Sequence, residues 1–162
     1  MVIYTPLYLH GMFGFEWNTL GVMFSIMLLP FVLFQWPVGK LADHFIGDKE
    51  FMTLGFLIMA TTLLFMPYLK ESVIIWTVVL FLSRVGASFV EVTTDSYFFK
   101  HVDASDTGLL SIFRLTRPLS IVLGAAVGAL SLNLFSFEKI FFVLAFFVLF
   151  GLKESLSLKD TL

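Results

Sequence analysis

Five ionisable side chains interrupt two of the most apolar stretches of this chain. Arg84, Glu91 and Asp95 lie in "FLSRVGASFVEVTTD", and Arg114 and Arg117 lie in "FRLTRP". Arg84, Ser88, Glu91 and Asp95 fall at i, i+4, i+7 and i+11, which places them on one stripe of a helix. Arg114 and Arg117, at i and i+3, share a face of another. A charge at mid-membrane costs about 2.5–3.5 kcal/mol on insertion scales. Such groups avoid lipid and turn toward a water-filled cavity or an opposite charge. The expected chemistry is therefore ion pairing between the two stretches and capture of a charged solute. Glu91 and Asp95, like charges one turn apart, would titrate as a coupled pair. Arg84, nearest the middle of its stretch, is the expected contact for an anionic group.

The elements that position these groups are membrane helices. Of 162 residues, 59% are hydrophobic, 21 are Phe and only 14% are charged. Mean hydropathy is +0.96. A soluble domain of this size needs more charge to cover its surface. The net charge of −2 carries no basic signature for nucleic acid. The absence of cysteine excludes disulfides, thiolate metal sites and Cys nucleophiles. "MVIYTPLYLHG" lacks the basic start and small-residue cleavage site of a signal peptide. His10, His44 and His101 fall in loops or at interfaces, and "HVD" at 101–103 has no second cluster to complete a metal site. No metal and no cofactor are expected.

A membrane helix needs about 20 mostly apolar residues. Five stretches qualify: Asn18 to Val38, Phe51 to Leu69, Val73 to Phe99, Thr107 to Leu134 and Phe135 to Leu152. Val2 to Leu9, within residues 1–9, reads as the last turns of a span that begins upstream. Residues 1–152 thus form one helical bundle, and residues 153–162 a short tail. Ser105, Asp106 and Thr107 are N-cap candidates for the fourth span. Pro30 and Pro118 are expected to kink their helices. Lys40, Lys49, Lys100, Lys153 and Lys159 fall on one side, against Lys70 and Lys139 on the other. The bias makes the side of the Gly39 loop, and the C-terminus, cytoplasmic. Trp17 and Trp76 then fall near the outer interface and Trp36 near the inner one.

Depth pairs the third and fourth spans. Glu91 lies eight residues before Phe99 and Asp95 four, while Arg114 lies seven after Thr107 and Arg117 ten. At ~1.5 Å per residue, Glu91 and Arg114 come to nearly the same level. Glu91 or Asp95 is expected to pair with Arg114 or Arg117, as a gate or as a static brace; the alternatives are that Arg84, Glu91 and Asp95 line a substrate or coupling-ion path, or that the charges snorkel to the lipid interface.

The loop between the first two spans reads "PVGKLADHFIGDKEF". It resembles the signature loop of the major facilitator superfamily, roughly G-x-L-A-D-x-x-G-R/K-K/R. Gly39, Leu41, Ala42 and Asp43 fit its first half in order. Gly47 and Lys49 fit the second half with one extra residue in "HFIG". The order of elements that follows also resembles the family: a helix, a short hairpin, a helix carrying Arg84 and Gly86, a loop, then a helix rich in small residues. Ser120, Gly124 and Gly128 in "RPLSIVLGAAVGAL" stand four apart, a spacing that allows close helix packing. Pro118 precedes the glycines, unlike the Gly-Pro of proton-coupled antiporters, so antiport is not inferred.

The resemblance implies an all-α integral membrane protein, five helices and a truncated sixth, forming one half of a twelve-helix fold. "KESLSLKDTL" resembles a true C-terminus, which favours the C-terminal half, although Arg84 is more typical of the first half. The implied function is secondary transport of a small solute by alternating access in the cell membrane, without enzyme activity. The implied partners are the solute, the lipid bilayer and the other half of the transporter. A membrane enzyme acting on a lipid-borne substrate is one alternative, but G-x-S-x-G, H-E-x-x-H and P-loop motifs are absent. A non-transporting membrane scaffold is the other.

Overall fold

The computed structural model describes residues 3–42, 46–103 and 106–158. Six α-helices follow in order: α1 (Tyr4–Phe13), α2 (Trp17–Leu41), α3 (Asp48–Phe65), α4 (Val73–His101), α5 (Thr107–Leu134) and α6 (Ile140–Ser157). Short 3₁₀ turns at Met66–Tyr68 and Phe137–Lys139 join α3 to α4 and α5 to α6. No strand occurs among the described residues. Five helical stretches are long and apolar enough to cross a membrane, and between 11% and 33% of each apolar window is buried inside the protein. The rest of each must meet lipid or another protein.

The helix ends follow local sequence. Gly11 stays inside α1, and the helix stops at Gly14, whose φ of 68° a side chain would resist. Its N–H donates to the His10 carbonyl, the single bond of an αL closure, and that of Phe15 donates to the Leu9 carbonyl. Gly47, at φ 89°, turns the chain into α3. That helix begins at Asp48, earlier than the expected Phe51, because Asp48 and Glu50 suit the positive end of a helix. The Ser72 hydroxyl accepts from the Ile75 N–H and starts α4. Asp106 precedes α5 without a side-chain capping bond. At the far end α6 runs past the expected Leu152 to Ser157. Lys153 and Glu154 are good helix formers, and Ser155 is buried, 3.1 Å from the Thr53 hydroxyl of α3.

Two apolar clusters hold the bundle. At the end where α1 meets the α3–α4 turn, Trp76 is fully buried among Tyr8, Phe13 and Phe141, with ring centroids 5.8–6.1 Å away. Trp76 therefore fills the core at this end of the bundle. Trp17 and Trp36 are exposed, as interfacial anchors are. At the Gly39 end, Val38, Ala42 and Phe51 pack with Phe34, Phe89 and Val92.

Helix α4 packs along both α2 and α3, and α3 packs along α6. Within lipid, close backbone approach replaces the hydrophobic effect as the source of packing energy. Gly55 and Gly86 make that approach between α3 and α4. A methyl on either would come within 2.6 Å of the other's carbonyl oxygen. Gly151 likewise makes room for the Phe56 ring. Of the expected small-residue stripe on α5, Gly128 lies against the Tyr4 ring, whereas Gly124 has no atom near its missing Cβ and Ser120 is exposed. Among the described residues only Gly128 of the stripe meets another helix, because α5 packs sparsely on the rest of the bundle.

Candidate functional site

The charged groups separate into two sites along α4 and a brace at its end. The first site joins α4 to α5. Arg117 places Nη1 3.0 Å from Glu91 Oε1 and Nη2 2.6 Å from Asp95 Oδ2. One guanidinium thus bridges two carboxylates a turn apart, using the fork geometry that suits arginine. The three side chains are 35–55% exposed, so they line a surface and not a sealed core. Arg114 is exposed and makes no ion pair with the described residues.

The reason for the choice of Arg117 is helix length. Helix α4 runs to His101, two residues beyond the expected end. Glu91 then lies ten residues before the end of α4, and Arg117 ten after the start of α5. Equal depth selects Arg117. A ring pair strengthens the same junction: Phe98 and Phe113 stack with centroids 3.9 Å apart and planes 8° from parallel. The sequence signal for this pair is that both aromatics lie one turn toward the helix ends from Asp95 and Arg117.

The second site surrounds Arg84. A cavity of about 330 Å³ lies between the start of α1 and helices α3 to α6. Its polar wall includes Tyr4, Ser83, Arg84 and Ser120, and among the described residues no Asp or Glu lines it. The Arg84 Nε is sealed from solvent and has no hydrogen-bond partner among the described residues. Tyr4 donates its hydroxyl to the Ala125 carbonyl at 2.6 Å, and Ser120 donates to the Arg117 carbonyl at 2.8 Å. Ser88, on the same stripe, is buried and donates to the Val85 carbonyl at 2.8 Å. A larger groove of about 450 Å³, between α2 and α4 at the Trp76 end, has no ionisable residue in its wall.

The brace lies at the signature loop. Asp48, fully buried at the start of α3, accepts from Lys100 at 2.8 Å, close to the end of α4. Sequence reading missed this pair, although Asp48 follows Gly47 directly and Lys100 follows the apolar part of its span. Of the loop itself, Gly39 contacts Val92 of α4, Ala42 is fully buried, Leu41 is exposed and Lys49 is part-buried. Asp43 and His44 lie outside the described residues, as do Ser105 and Lys159. Among the described residues no cluster of His, Asp and Glu has the makings of a metal site.

The helix order, the Gly39 loop and the paired charges agree with one comparison. The family model described as Major Facilitator Superfamily matches residues 1–154. No curated protein and no solved structure matches the chain. A match over nearly the whole sequence, on an all-helical bundle with five membrane-spanning stretches, identifies a membrane protein of the transporter class whose members move small solutes. The chain belongs to the Major Facilitator Superfamily.

Proposed function

We propose that this chain moves a small solute by alternating access, with the Arg117 bridge as a gate between α4 and α5. The observation that carries the reading is one guanidinium held by two carboxylates from a neighbouring helix, at 2.6 and 3.0 Å. Two such bonds are strong enough to hold α5 against α4, yet partial exposure lets water compete for each group. A junction of this kind can form in one state of a transport cycle and break in the other. Helix α5, sparsely packed elsewhere, is the element free to move.

In this reading Arg84 and Ser120 lie deeper than the gate, on the solute path. The Gly39 end and the C-terminus face the cytoplasm, and the protein resides in the cell membrane. The chain supplies one half of the path, and a second half faces it.

The chain has no cysteine, so a single introduced thiol reports access without background. Ser120→Cys is placed one turn beyond the gate. Labelling by a membrane-impermeant maleimide from the Gly39 side should be slow, and adding Arg117→Gln should accelerate it about ten-fold, the cost of lost charge-assisted hydrogen bonds. An unchanged rate in a folded variant would defeat the gate and leave the bridge a static brace.

A further inference from the structure

We infer that the Arg84 cavity binds the carboxylate of a short, otherwise apolar organic monoanion. The inference rests on the transporter reading and names the class of solute. Three observations carry it. Among the described residues the cavity lining contains one cation, Arg84, and no carboxylate. The Arg84 Nε is buried without a hydrogen-bond partner among the described residues. Most of the remaining wall is aliphatic, including Met59 and Leu63 of α3 and Leu144 and Val148 of α6.

A buried guanidinium without a counter-ion favours any acceptor that brings a negative charge. A carboxylate matches a guanidinium edge with two parallel N–H···O bonds, and Arg84 lines the cavity. A single cation in a wall without acidic groups balances one negative charge, which selects a monoanion over a dianion. Ser83 and Ser120 supply hydroxyls in the same lining, and a hydroxyl that already donates to a carbonyl still accepts or shares. The aliphatic wall then takes the apolar body of the ligand, as in most small-molecule sites.

At ~30 Å³ per water-sized unit, 330 Å³ holds roughly ten non-hydrogen atoms. Benzoate fits within it, whereas a long-chain fatty acid would have to extend its tail out of the cavity. The same head group is present on both, so the two sources must be separated by experiment.

The test is binding of radiolabelled benzoate to the full chain in lipid nanodiscs. Saturable binding is expected. It should weaken at least about ten-fold in Arg84→Gln, the effect of losing charge-assisted hydrogen bonds. Arg84→Lys should retain part of the affinity, because it keeps the charge but not the fork. Benzamide, isosteric and neutral, should fail to compete on the unmodified chain. That comparison needs no variant and guards against misfolding of Arg84→Gln.

Three results would overturn the proposal. One is no saturable benzoate binding up to about 10 mM, beyond the weakest affinity worth assigning to a site. Another is competition by benzamide equal to that by unlabelled benzoate. The last is displacement of benzoate by palmitate at equal or lower concentration, which assigns the site to a lipid tail. The thiol-accessibility experiment on Ser120→Cys reads the gate separately. Access that responds to Arg117→Gln without Arg84-dependent benzoate binding removes the anion site and leaves the transporter reading standing. Benzoate binding without that response keeps the anion site and removes the gate.

Discussion

At the scale of single residues, Arg117 and Arg84 show two ways for a cation to survive among apolar helices. Arg117 is satisfied by Glu91 and Asp95, while the Arg84 Nε is not satisfied by any described group. The consequences of substitution differ accordingly. Arg117→Gln leaves Glu91 and Asp95 as neighbouring like charges without their shared partner. Its loss should be the largest of the three, about 1–2 kcal/mol, because partial exposure keeps it below the 3–5 typical of a sealed pair. Asp95→Asn should cost less, since Glu91 still holds the guanidinium. Glu91→Gln should cost least, because it removes the longer of the two contacts. Thermal melting of the purified variants in detergent checks the order. Melting temperatures of all three equal to that of the unmodified chain would mean that the bridge contributes nothing to the fold. The stripe of Arg84, Glu91 and Asp95 was legible from spacing alone. Which arginine of α5 closes it was not, because that depends on where α4 ends, and residues at helix ends obey weak local preferences.

At the scale of elements, the packing of α4 on α3 rests on a glycine pair that no motif announced. Sequence spacing drew attention to Ser120, Gly124 and Gly128, which stand four apart on one helix. The seam between α3 and α4 is made by one glycine from each helix, Gly55 and Gly86. Spacing within a helix reports a smooth face, but only the partner helix decides whether that face is used. The five spans themselves were legible because each carries a long apolar run, and their bounds moved by only a few residues where caps intervened. Gly86→Ala should destabilise the protein by about 1–3 kcal/mol, since the added methyl meets a backbone oxygen that cannot rotate away. Gly124→Ala, with nothing near the new methyl, should leave stability unchanged or slightly raised through helix propensity. Melting temperatures of the two variants form a matched comparison. A Gly86→Ala protein as stable as Gly124→Ala would show that α3 and α4 separate at little cost, and would remove close approach as the source of their adhesion.

At the scale of the whole molecule, the uneven covering of the helices and the uneven placement of lysine make one argument about topology. Ile112, Leu115, Leu119, Ile121, Val122 and Leu123 are each more than half exposed on α5, so that helix meets lipid or a facing half-transporter on several sides. Alternating directions of α2 to α6 put Lys40, Lys49, Lys100 and Lys153 at the Gly39 end and Lys70 and Lys139 at the other. The asymmetry favours retention of the Gly39 end in the cytoplasm. Lys100, paired with buried Asp48, also ties the end of α4 to the start of α3, so its charge has a structural use as well as a topological one. Single thiols at Lys49 and Lys153 in the cysteine-free chain should therefore react with an impermeant maleimide only after the cytoplasmic face is opened. Thiols at Lys70 and Lys139 should react in intact cells. Lys49 and Lys153 lie at the same end and Lys70 at the opposite one whatever the orientation, so the experiment reads two things at once. Reversal of both sets would invert the molecule in the membrane and leave the bundle intact. Labelling of Lys70 and Lys153 positions from one face would break the alternation of α3 to α6, on which the depth match between Glu91, Asp95 and Arg117 depends.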